Sequence, residues 1–130
     1  MAGDGGVAAE PPSDELTRSI IEAIIAVHRV LGPGFAEAIY QRALMIELAK
    51  SGFSLATEVE IRIEYDGQLI GKHRLDLVVN GRAIIELKTV EALGKAHYAQ
   101  VRSYLRASGL PIGLLVNFSK ERADWRRIPA

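Results

Sequence analysis

The chain has 130 residues, enough for one sizeable hydrophobic core, and balances 16 basic against 16 acidic side chains. Net neutrality gives no global attraction to a polyanion, so a nucleic acid would have to be met by a local patch. The lack of any cysteine excludes disulfides, zinc–thiolate sites and thiol nucleophiles.

Residues 1 to about 13 are mostly Gly, Ala and Pro and have little to bury. They are expected to form a disordered leader ahead of a single domain over 14–130. No basic segment followed by an apolar one occurs there, so no secretory signal is expected. The apolar runs downstream are too short to span a bilayer. Together with the absence of cysteine, this pattern suits a cytoplasmic protein that makes no membrane contact.

Ser13 or Asp14 can cap a first helix, in which Leu16, Ile20, Ile24, Val27 and Leu31 recur every three or four residues. Gly32-Pro33-Gly34 stops it. A second helix is expected from about Phe35 to Lys50, with Ile39, Ala43, Ile46 and Leu48 as buried candidates and Gly52 as its left-handed end. From Glu58 the period becomes two: Val59, Ile61, Ile63 and Tyr65 alternate with Glu60, Arg62 and Glu64, a strand with one wet face. Asp66-Gly67-Gln68 turns into a second strand, about Leu69 to Val79, and Asn80-Gly81 turns again into a third, Ala83 to Val90. A helix over about Glu91 to Ala107 ends at Ser108-Gly109. Ile112 to Phe118 reads as a buried fourth strand, and Trp125 to Ile128 as a short edge strand. The order ααβββαβ is that of an α/β (α+β) domain, with helices on a mixed sheet of four to five strands.

The central hairpin holds charges that turn chemistry does not explain. Alternation puts Leu75, Leu77 and Val79 on one face of the second strand, and Asp76 and Val78 on the other. On the third strand, Glu86 and Lys88 share a face with Ile84. The apolar sets line one core only if odd positions pair with odd ones. A three-residue loop with Gly81 left-handed, pairing Val78 with Arg82, achieves this. Asp76, Glu86 and Lys88 then fall on one face. A solvated, salt-bridged sheet face would be the ordinary explanation. Against it, a helix should cross this sheet, and diagonal neighbours lie roughly 7–8 Å apart at Cα, close enough to share an ion. Two carboxylates at that distance repel unless a cation or a proton sits between them, and hard oxygen ligands suit Mg²⁺ or Mn²⁺. Lys88, one strand repeat beyond Glu86, would reach the same spot and could hold an anion or orient a water.

Asp76 followed by Glu86-Leu87-Lys88 resembles the D…(D/E)xK core of the PD-(D/E)xK nuclease superfamily, whose fold is a restriction-endonuclease-like core. Gly34-Phe-Ala-Glu37-Ala-Ile-Tyr40 is similar to the motif that names its GxxExxY branch. The stretch from His97 to Phe118, with His97, Gln100 and Tyr104, looks like the helix and strand closing that branch's core. The resemblance spans about Leu16 to Phe118. One departure is Leu75, which stands where many members have Pro before the Asp.

The resemblance implies a metal held by Asp76, Glu86 and the Leu87 backbone carbonyl, with Lys88, Glu37 and Gln100 completing a catalytic constellation. Tyr40, His97 and Tyr104 are its substrate or supporting residues. Each has a plainer reading. Glu37 suits the first turn of any helix, Tyr40 suits a core with its hydroxyl at the rim, and a polar stripe such as His97, Gln100 and Tyr104 is most often a wet face. His28 and His73 are assigned no role. The expectation is a Mg²⁺-dependent (or Mn²⁺-dependent) nuclease, with DNA favoured over RNA by analogy with the superfamily. A homodimer would ease the size problem, and a protein partner could supply specificity. The alternative is a catalytically silent nucleic-acid-binding or assembly module, which neutral charge and small size favour.

Overall fold

The computed structural model describes residues 15–130. The expectations for a leader over residues 1–13 and for a Ser13 or Asp14 cap lie outside the described residues. Five strands and three helices follow in the order α1 (Glu15–Leu31), α2 (Glu37–Lys50), β1 (Leu55–Tyr65), β2 (Gln68–Val79), β3 (Ala83–Lys88), α3 (Lys95–Ser108), β4 (Ile112–Asn117) and β5 (Asp124–Pro129). The expected mixed α/β order is what the structure has. The strands form one sheet in sequential order, antiparallel except for the β3–β4 pair, which α3 joins by a crossover.

Each face of the sheet carries its own core. Leu16, Ile20, Ile24 and Val27 of α1 and Tyr40, Leu44 and Leu48 of α2 pack on Leu77, Val79, Ile85, Leu87, Leu114, Val116 and Phe118. On the other face Val101, Tyr104 and Leu105 of α3 meet Ile61, Leu75, Val78, Ile84, Leu115 and Ile128. Gly113 of β4 lets α3 come close to the sheet: a methyl group there would stand 2.6 Å from Val101 Cγ1.

Three expectations need correction. The buried stripe of α2 is Tyr40, Leu44 and Leu48 at a spacing of four, while Ile39 and Ile46 are exposed. An aromatic and two leucines outweigh the pair of isoleucines, because Tyr40 has a polar partner to satisfy its hydroxyl. The hairpin keeps the expected odd-with-odd parity, but its register is Val79↔Ala83, Val78↔Ile84 and Leu77↔Ile85. The loop is therefore Asn80 to Arg82, with Asn80 (φ 54°) and Gly81 (φ 61°) both left-handed. Finally, Leu75 does not share a core with Leu77 and Val79; it drops to the α3 side beside Val78. The strand turns over at Asp76 because β2 pairs with β3 only from Leu77 onward, and before that residue runs beside β1 alone. Glu58, facing Asp76 between the Thr57↔Leu77 and Val59↔Leu75 pairs, is forced to φ 51°.

Candidate functional site

The parting of β2 from β3 makes the site. Continued by one step, the hairpin register sets Asp76 opposite Glu86, where the ladder is no longer formed. The Asp76 carboxylate takes the place of a backbone acceptor: its Oδ2 receives the Leu87 N–H at 3.1 Å. Its own carbonyl oxygen accepts from Gln41 Nε2 at 3.2 Å, tying α2 to the same point. Glu86 is 5% exposed, with Lys88 Nζ at 3.8 Å from its Oε2 and no hydrogen-bond partner for its Oε1. A buried carboxylate oxygen with no partner is costly, and native structures rarely leave one without reason.

The electrostatics follow from that crowding. Burial first, then the charge of Asp76, pushes the Glu86 carboxyl from its ordinary 4.5 up to about 8; Lys88 opposes this, Glu37 adds to it and the Asp76 N–H relieves it. Asp76 is raised too, chiefly by burial and slightly by Glu58, against the lowering effects of the Leu87 N–H, Lys88 and Glu86. Tyr104, which reaches the site from α3, is pushed up to about 12 by burial and then by the negative charge of Glu86 and Asp76.

A model of the PD-(D/E)XK nuclease superfamily matches residues 14–128. The chain belongs to the PD-(D/E)XK nuclease superfamily. A crystal structure of SSO0001 is similar at 19% sequence identity, covering 93% of this chain and 70% of that one with a TM-score of 0.49. No curated protein matches. Membership of the superfamily supports a nuclease-like function and contact with nucleic acid.

The nuclease fold brings some of the expected residues together and leaves others apart. Asp76, Glu86 and Lys88 meet, and the Leu87 N–H donates to the Asp76 carboxylate. Glu37, the first residue of α2, is exposed, and its charge is felt at Glu86. Tyr40 is fully buried, so it does not face a substrate. Its hydroxyl donates to the Gly32 carbonyl at 2.5 Å and accepts from the Phe35 N–H at 3.2 Å, and its ring stacks on Phe118 with centroids 4.4 Å apart. It thus pins the turn that launches Glu37, which explains why a Tyr stands three residues after the Glu. His97 turns back to accept the Gly94 N–H on Nδ1 at 2.9 Å, capping α3. Gln100 is half-buried and its side chain makes no hydrogen bond among the described residues.

Three participants escaped the sequence reading. Gln41 is one turn beyond Glu37 on the same face, a spacing that could have flagged it. His73, on β2, packs edge-on against Tyr104 with centroids 4.8 Å apart and its Nδ1 3.4 Å from the Tyr104 hydroxyl. Only the folded ribbon puts it there. Asn117, fully buried beside Lys88 on β4, fastens the chain after β3 by exchanging hydrogen bonds with Val90 at 3.1 and 2.8 Å. A polar residue inside an otherwise apolar strand was its visible signal.

Superfamily members generally use divalent metals, and the donors here fit a hard cation. Among the described residues no group of three or more His, Asp or Glu side chains converges to form a complete cage. Mg²⁺ does not need one, since it binds through one or two carboxylates and keeps several waters. The unpartnered Glu86 Oε1 beside Asp76 is the atom such an ion would satisfy. No helix among the described residues is long and apolar enough to cross a membrane.

Proposed function

We propose that the chain is a divalent-metal-dependent nuclease of the GxxExxY branch, hydrolysing phosphodiester bonds with DNA favoured over RNA. The observation that carries this reading is the buried, unpartnered Oε1 of Glu86 next to Asp76, with the Lys88 ammonium 3.8 Å from the other oxygen. Asp76, Glu86 and the Leu87 carbonyl would hold Mg²⁺ or Mn²⁺. The ion, when bound, supplies Lewis acidity toward a phosphate oxygen and lowers the pKa of an attacking water.

The chain's own residues do the rest. Lys88 would hold that water or offset negative charge growing on the phosphate. Gln41 and the Leu87 N–H fix Asp76 from two sides, so its free oxygen keeps one orientation. Glu37, held at the mouth by the Tyr40 pin, and Gln100 on α3 complete the polar rim. The reading takes residues 14–130 as one working unit, acting in the cytoplasm as a homodimer or with a partner that supplies specificity.

The test incubates the protein with labelled single- and double-stranded DNA and RNA in Mg²⁺, Mn²⁺ or EDTA. Cleavage that needs metal and falls by about 10²-fold or more in Lys88→Ala and Glu86→Gln is the expected result. Cleavage that survives both substitutions would sink this assignment. Metal-dependent binding of nucleic acid without turnover would transfer it to the silent binding module.

A further inference from the structure

A cavity lies on the opposite face of the sheet from the carboxylates, and its chemistry is that of a ligand site. It measures about 400 Å³ and is lined by Ile25, His28 and Arg29 of α1, Glu121 and Arg122 of the loop after β4, and Trp125 of β5. Trp125 pairs with Val116 of β4 and packs on the α1/α2 core. Glu86, by contrast, points toward α3, where its charge acts on Tyr104.

The cavity is built into the fold. His28 is 6% exposed and holds the loop to α1: its Nε2 meets the Lys120 carbonyl at 2.7 Å, so that nitrogen carries the proton. Its ring stacks on Phe118, centroids 6.2 Å apart and planes 19° from parallel. The Phe118 N–H in turn donates to the Lys88 carbonyl at 3.0 Å. The loop that walls the cavity is therefore anchored at three points.

Arg29 and Arg122 form no ion pair among the described residues, whereas Arg62, Lys72 and Arg74 on the β1–β2 ribbon are each matched to a glutamate. Two guanidinium groups with no ion pair among the described residues suit a phosphate, which they can meet with forked donors. An indole beside them suits the π-face of a base. Glu121 offers the acceptor that a ribose hydroxyl or an exocyclic amine requires. A space of this size is that of a small organic ligand. It is far larger than a lone phosphate fills, and too confined for a duplex.

We propose that this cavity binds a nucleoside monophosphate, its base against Trp125 and its phosphate between Arg29 and Arg122. The site is independent of the nuclease reading and takes none of its residues.

Trp125 is the single tryptophan, so its fluorescence reports this cavity alone. The full chain is titrated in EDTA with adenosine and uridine monophosphates, with adenosine and with inorganic phosphate, correcting for ligand absorption and repeating the series by calorimetry. A saturable change with the monophosphates is expected, with affinity at least about tenfold above that for adenosine or phosphate. Arg122→Glu and Arg29→Glu, both at exposed positions and checked for folding by circular dichroism, should each weaken it by about tenfold or more. Asp76→Asn should leave it unchanged. No saturation by about 10 mM, equal affinity for bare phosphate, or binding that survives both arginine reversals overturns the proposal. Loss in Asp76→Asn alone would overturn it too, by moving the ligand to the carboxylate site.

Discussion

Glu86 shows how one buried side chain can link stability to chemistry. Its folded-state pKa of about 8 lies above the ordinary 4.5, so between those values the folded protein keeps a proton that the unfolded chain has released. The folded state binds more protons there, and stability must fall as pH rises from about 4.5 to about 8. The raised Asp76 acts in the same direction. In EDTA, the thermal midpoint of the parent should therefore drop between about pH 5.5 and 8 by more than that of Glu86→Gln, which has nothing to ionise at this position. Equal pH slopes in the two proteins would mean that Glu86 is not the buried acid described here. Lys88 offsets the strain only in part, because one ammonium, 3.8 Å from Glu86 Oε2, serves two carboxylates.

Elements place those residues through a few close approaches. The aromatic column His28–Phe118–Tyr40 ties α1, the end of β4 and α2 together, and with them the turn that precedes Glu37. The approach of α3 to β4 at Gly113 is equally specific. Gly113→Ala would push a methyl into Val101 Cγ1 at 2.6 Å and should cost about 1–3 kcal/mol. Denaturant unfolding checks this. In the Val101→Ala background, where that carbon is gone, the penalty should shrink, and a penalty of the same size in both backgrounds would place the clash elsewhere. The β1–β2 ribbon is different in kind. Beyond Asp76 it has no β3 beside it, its charges are matched internally, and Tyr65, Leu69 and Ile70 near its turn are exposed.

At the scale of the whole molecule, a cation bound between Asp76 and Glu86 should relieve the repulsion that the fold imposes. A ligand that binds only the folded state raises stability by mass action, about 2.7 kcal/mol at a hundredfold excess over Kd. Mg²⁺ or Mn²⁺ at about pH 8 should thus raise the thermal midpoint of the parent, and should fail to do so in an Asp76→Asn, Glu86→Gln double variant. An equal rise in both would place the ion at another site. The parent's pH slope should flatten in metal, since the ion replaces the proton at Glu86.

Element order was plain in the chain because period and punctuation are local: α1 from its apolar spacing, the strands from alternation, the turns from Asn80-Gly81 and the left-handed Gly52. That Asp76 and Glu86 meet across the hairpin was legible too, from the odd-with-odd register, although the strand turns over at that point. The sequence by itself thus determined the element types, the likeness to a nuclease core and the acids that meet. Tertiary structure decided what those acids experience. Only the parting of β2 from β3 turns Leu75 over, hands the Leu87 N–H to Asp76 and brings His73 to Tyr104. Only packing told the stripe of Tyr40, Leu44 and Leu48 from that of Ile39 and Ile46. Desolvation, register and the closing of a cavity depend on contacts between residues far apart in sequence, and no local pattern carries them.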